Sequence, residues 1–133
     1  MNLIKAGATY ILILFLFSCS ASYEKLTRLE TKKPGNFQEY LLSEYKKKAI
    51  FEAEEMHDWN SVKLYSEKAL LSLKSDKILP EKISYWKLPK EKIDEISISH
   101  ESLLSIYDNA KIIDPYNLAR AIVSLDCWSE QQE

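Results

Sequence analysis

From Phe37 onward the apolar residues recur at intervals of three and four. Phe37, Leu41, Tyr45, Ala49, Ala53 and Met56 fall on one face of a helix. Lys46, Lys47, Lys48, Glu52, Glu54 and Glu55 fill the rest of the turns and are expected as solvated surface. Asp58 suits the N-cap of a second helix, whose apolar face is Val62, Tyr65, Ala69, Leu70 and Leu73. Residues 75–88 then read as a connector, with Pro80 breaking any helix and Tyr85-Trp86 as an aromatic pair. Pro89 fits a first helical position, and Ile93, Ile96, Leu103 and Tyr107 mark a third helix with a weak spot at Ser97-Ile98-Ser99. Asp114-Pro115 is a cap followed by a first-turn proline, and Leu118, Ile122, Leu125 and Trp128 give a fourth stripe. With only 2 glycines and 4 prolines, the chain lacks the turns of a β-sandwich and the glycine-rich loop of a phosphate cradle. The expected fold is all-α, built from two antiparallel helix hairpins.

Asp58-Trp59, Val62 and the string Tyr65-Ser66-Glu67-Lys68-Ala69-Leu70 resemble the second half of a tetratricopeptide unit. Ala53 and Ala69 are small enough for two helices to approach closely. An array would restart about 34 residues later, and the pattern does not restart around Ile96. The expectation is tetratricopeptide-like packing of one pair, with Trp59 and Tyr65 set against the first helix, and not a solenoid.

The N-terminus reads as an export signal. Lys5 is the only charge before Glu24, and it precedes the apolar run Ala6 to Phe17. Those 12 residues make a helix of about 18 Å, short of a hydrocarbon core of roughly 30 Å, as suits a cleavable segment. Leu16-Phe17-Ser18-Cys19 resembles the lipobox of bacterial lipoproteins: an aliphatic residue three before the cysteine, a small residue before it, then the cysteine. The resemblance implies cleavage between Ser18 and Cys19, an S-diacylglycerol on the Cys19 sulfur and an acyl chain on its freed amine. Each buried methylene contributes about 0.8 kcal/mol and a single chain holds only marginally, so several chains on one residue make a lasting anchor. The expected division is a signal peptide over 1–18, a lipidated N-terminus and polar tether over 19–35, and a helical domain over 36–133. An uncleaved signal anchor is the alternative, because Ala6 to Tyr23 carries no charge.

Several segments together resemble a more specific family. They are the lipobox, Glu55-Met56-His57-Asp58-Trp59, Glu67-Lys68-Ala69-Leu70, Trp86-Lys87-Leu88-Pro89 and Asp126-Cys127-Trp128-Ser129-Glu130-Gln131-Gln132-Glu133. In this order they resemble the N-terminal helical region of alphaproteobacterial OmpA-family lipoproteins. In that family the chain continues, supplies a later cysteine and ends in a domain that grips peptidoglycan. The sequence here stops at Glu133 within the motif, so peptidoglycan binding is not carried over, and a remnant of a longer envelope protein is an alternative reading. With Cys19 lipidated, the resemblance leaves Cys127 without a partner in this chain, an unpaired thiol that stays reduced or links two chains, and 114–133 is expected to be the least stable segment.

The remaining residues offer no catalytic constellation. The net charge of −2 gives no reason to expect nucleic acid as a partner. Two cysteines and two histidines do not make a structural zinc site of the usual spacing. His57 reads as a turn residue and His100 as a half-buried helix residue, neither beside a nucleophile. Ser22/Lys25, Ser43/Lys46 and Ser84/Lys87 match a Ser-x-x-Lys pattern without its companion motifs. Trp59, Trp86 and Trp128 read as packing anchors. No cofactor, metal or catalytic residue is expected. The expected protein is a lipid-anchored, periplasm-facing module of the cell envelope, with a structural or protein-interaction role. Ser20, which is not acidic, directs it to the outer rather than the inner membrane under the lipoprotein sorting logic. Its expected partners are the membrane, through Cys19, and an envelope protein.

Overall fold

A computed structural model describes residues 21–30 and 32–133. The expected processing site at Ser18 and Cys19 lies outside the described residues. Five α-helices are present among those residues: α1 (Ala21–Thr27), α2 (Phe37–Phe51), α3 (Trp59–Ser72), α4 (Lys90–Ile113) and α5 (Pro115–Gln131). A π-helical turn, Glu52–Met56, extends α2, and a single 3-10 turn, Ile83–Tyr85, interrupts the connector before α4. The described residues hold no strand. The fold is all-α, as the spacing of apolar residues predicts.

Local chemistry sets the helix starts. The Asn36 side chain accepts from the Glu39 amide at 3.0 Å and so satisfies one orphan donor at the head of α2. The Glu39 carboxylate reaches back to accept from the amide of Gly35, just before the cap, at 2.7 Å. Asp58 accepts from the amides of Asn60 (3.0 Å) and Ser61 (3.3 Å) and caps α3. Asp114 accepts from the Asn117 amide at 3.2 Å, and Pro115 opens α5. Pro89 sits one residue earlier than expected: its ψ of 145° is extended and Lys90 begins α4. The π-turn ends at His57, which has φ 56°. A left-handed histidine costs roughly 1–2 kcal/mol, offset here by its Nδ1–H donating to the Ala53 carbonyl at 3.0 Å.

The core runs through all five helices. Leu26, Leu41, Tyr45, Ala49, Tyr65, Ala69, Ile96 and Ile122 are fully buried, and Phe37, Ile78, Tyr107 and Leu118 nearly so. Tyr45 and Tyr65 stack with centroids 6.1 Å apart, and Phe37 meets Tyr107 edge-on at 5.7 Å.

Packing corrects the sequence reading at three places. The first half of the expected tether is a helix: α1 packs on α3, Leu26 is fully buried, and Lys46 Nζ donates to the Leu29 carbonyl at 2.7 Å. A polar stretch with one well-placed leucine is enough to dock a short helix that its average polarity conceals. Trp59, expected against the first helix, is half-exposed and touches Tyr23 edge-on at 6.2 Å. As the first residue of α3 it precedes the buried face, which begins at Ser61 and Val62. Met56, Leu73 and Ile93 are likewise exposed, each lying at or near the end of its apolar stripe. The segment 114–133, expected to be the least stable, places Leu118, Ala119, Ile122, Val123, Leu125, Asp126 and Ser129 in the interior against α2 and α4.

Candidate functional site

The polar groups of the interior gather on Asp126, a charge set between Leu125 and Cys127 on α5. It is 1% exposed. Its Oδ2 accepts from the Tyr45 hydroxyl of α2 and from Lys68 Nζ of α3, both at 2.7 Å, and its Oδ1 accepts from the Glu81 amide of the connector at 2.7 Å. Four segments of chain therefore meet on one carboxylate. Lys68 also donates to the Leu79 carbonyl and pairs with Glu81 Oε1, each at 3.1 Å, and lies 5.3 Å from the Tyr45 ring centroid. Burial raises the Asp126 pKa, and Lys68, Tyr45 and the Glu81 amide pull against that shift without cancelling it. Burial likewise lifts the Tyr45 phenol well above its usual value, with the Asp126 charge adding to it.

One turn further along α5, Glu130 accepts from Ser61 Oγ and from the Tyr65 hydroxyl, both at 2.6 Å. Lys48 pairs with Glu52 and lies 3.7 Å from Glu130. Burial acts to lower the Lys48 ammonium, but Glu52, Cys127 and Glu130 together hold it above its ordinary value. Glu52, expected on the surface, is 3% exposed: it lies one turn after buried Ala49 and pairs with Lys48.

These groups border a concave cavity of about 800 Å3, whose wall includes Lys48, Glu52, Ser61, Glu130, Tyr85 and Trp86. Glu52, Asp58 and Glu130 each present an oxygen within 4.8 Å of the others. Three such oxygens suit a hard cation, yet Lys48 already supplies counter-charge and Asp58 is engaged in capping α3. Ser61 has one proton to share between Glu130 at 2.6 Å and Asp58 at 3.1 Å. Both acceptors are carboxylates, and His57, next to Asp58 in the chain, bonds the Ala53 carbonyl rather than Ser61, so no histidine serves the hydroxyl as a base. The wall is mixed, with Phe51, Met56 and Leu64 beside the polar groups, and Lys48, Ser61 and Glu130 are tied to one another across helices.

The residues singled out in the sequence lie apart. His57 is exposed at the turn, as read, and His100 is half-buried on α4, its Nε2 enclosed without a partner. Cys127 is a free, half-buried thiol whose sulfur lies 3.6 Å from Gln131 Nε2. Trp86 is buried and Trp128 half-buried, whereas Trp59 is not an interior anchor. Sequence reasoning missed Lys68, Asp126 and Glu130. The available signal was a charge inside an apolar stripe: Lys68 beside Ala69, Asp126 beside Leu125.

The class defined by these features is an all-α protein with a buried ionic clasp and a cavity of mixed polar and apolar lining at one end. No family model, curated protein or solved structure matches the chain.

Proposed function

We propose that this chain is a lipid-anchored protein of the bacterial cell envelope, facing the periplasm, with a structural or protein-interaction role. The observation that carries the reading is Leu16-Phe17-Ser18-Cys19 at the end of a short apolar run that follows a single lysine. The described residues contain no helix long and apolar enough to cross a membrane, which is compatible with attachment through Cys19. A non-catalytic role is supported by the way Asp58, Asp126 and Glu130 are committed to capping and to interhelical bonds. Ser20 favours the outer membrane, and the strings around Trp59, Trp86 and Cys127 keep the likeness to the helical region of OmpA-family lipoproteins as part of the proposal. The test is metabolic labelling with palmitate in a bacterial host. The chain should take up label and be shortened, and Cys19→Ala should lose the label and accumulate at precursor size. Label persisting in Cys19→Ala overturns the proposal.

A further inference from the structure

Three large side chains that the interior does not use stand at one end of the molecule. Phe51 is 45% exposed, Met56 60% and Trp59 48%. They close α2, end the π-turn and open α3, so all three sit where the chain reverses. That reversal is fixed by the Tyr45–Tyr65 stack and, at the far end, by Gln38 donating to Asp76 at 2.9 Å. The direction of α1 is fixed as well. Tyr23, in its first turn, meets Trp59 at 6.2 Å, while Leu29, beyond its end, accepts from Lys46 in the body of α2. The N-terminal end of α1 therefore faces the same end of the molecule as Phe51, Met56 and Trp59.

Cys19 precedes Ala21 by two residues, and two residues span at most about 7 Å. A chain acylated at Cys19 has no length in which to stand off from the bilayer. The surface around the head of α1 must then lie at the headgroups, and the half-exposed aromatic residue beside it is a tryptophan, a side chain that favours the membrane–water boundary. We propose that the end of the molecule bearing Tyr23, Phe51, Met56 and Trp59 is a membrane-contacting surface, seated on the leaflet that holds the Cys19 acyl chains. The inference rests on the lipid anchor of the preceding section and adds to it a second, protein-borne contact. Glu54, Glu55 and Asp58 are exposed beside the patch, so zwitterionic headgroups suit it better than anionic ones.

The test uses the full chain, produced in bacteria, purified in detergent and reconstituted into phosphatidylcholine vesicles with plain or brominated acyl chains. Bromine quenches tryptophan on contact. Trp86 and Trp128 form a background common to all variants, so Trp59 is read as the difference between the native chain and Trp59→Phe. A reporter at the opposite end is Ile112→Trp in the Trp59→Phe background. Ile112 is exposed beside the start of α5, and the 17 residues of that helix separate it from the Glu130 end by about 25 Å. Trp59 emission should shift to the blue and lose intensity in brominated vesicles, while the Ile112→Trp reporter should be unchanged. Equal Trp59 emission in the two vesicle types overturns the proposal, whether the patch is bare or covered by a protein, and so does equal quenching of both reporters. Palmitate on Cys19 is scored separately. Trp59 quenched without label keeps the membrane surface and removes the lipid anchor, because an uncleaved Ala6 to Phe17 segment would hold the chain at the same place.

Discussion

Lys68 Nζ and Asp126 Oδ2 lie 2.7 Å apart with both side chains almost wholly out of solvent. A pair so placed is best understood by what happens when half of it is removed. Asp126→Asn leaves the buried ammonium with only the more exposed Glu81 carboxylate at 3.1 Å, and Lys68→Met leaves the buried carboxylate without its cation, so the two should cost about 3–5 kcal/mol in denaturant unfolding, the second more than the first. The double variant should lose less than the sum, by about 0.5–3 kcal/mol. Additive losses would show that the two side chains act separately.

Asp126 also sets a sign for the acid side of the stability curve. Its folded-state pKa is raised above the ordinary 3.8, so the native state binds the proton more tightly. The stability from this group is fully present below that ordinary value and is lost as pH rises through the folded one. Asp126→Asn should lack this slope in unfolding measured across the acid range.

The buried phenols govern the alkaline side. Burial lifts the pKa values of Tyr45 and Tyr65 well above 10.0, with Glu130 adding to the shift at Tyr65. The native state therefore keeps two protons that the unfolded chain releases, and stability should fall as pH rises above 10. Unfolding followed by circular dichroism should show a shallower alkaline fall in Tyr65→Phe than in the native chain.

Burial ranks two substitutions in an order that the sequence alone reverses. Leu26→Ala, in the supposed tether, should cost about 2–5 kcal/mol because the side chain is fully enclosed. Trp59→Ala should cost only about 0.5–1.5 kcal/mol, the worth of one edge contact with Tyr23. Equal losses would remove the docked position of α1.

Cys127 is half-buried and unpaired. With the Cys19 sulfur in a thioether, the purified monomer should titrate one thiol, and Cys127→Ser should change stability by less than about 1 kcal/mol, since a small side chain at a partly open position loses little packing. Two titratable thiols would place Cys19 in the free form.

The helices were legible because their determinants are local. Apolar spacing along Phe37 to Ala53 and the caps at Asp58 and Asp114 lie within a few residues of the turns they control. An N-cap carboxylate finds its amide donors two or three residues ahead wherever the helix is placed. The burial of Tyr45, Tyr65, Leu118 and Ile122 follows from the same periodicity.

Tertiary structure decided the rest. Lys68, Asp126 and Glu130 find their partners only when helices far apart in sequence bring Tyr45, Tyr65, Ser61 and the Glu81 amide to them. A charge is tolerable inside a protein only when its partners are in place, and those partners lie 45 to 81 residues from the carboxylates they bond. Leu26 and Trp59 exchanged their expected roles for the same reason. Whether a side chain is buried depends on which neighbour covers it, and α1 covers one side of α3 through Leu26 while leaving Trp59 at the edge. Periodicity in the chain determines which face of a helix is apolar, and only the packing of the helices determines how far that face is covered.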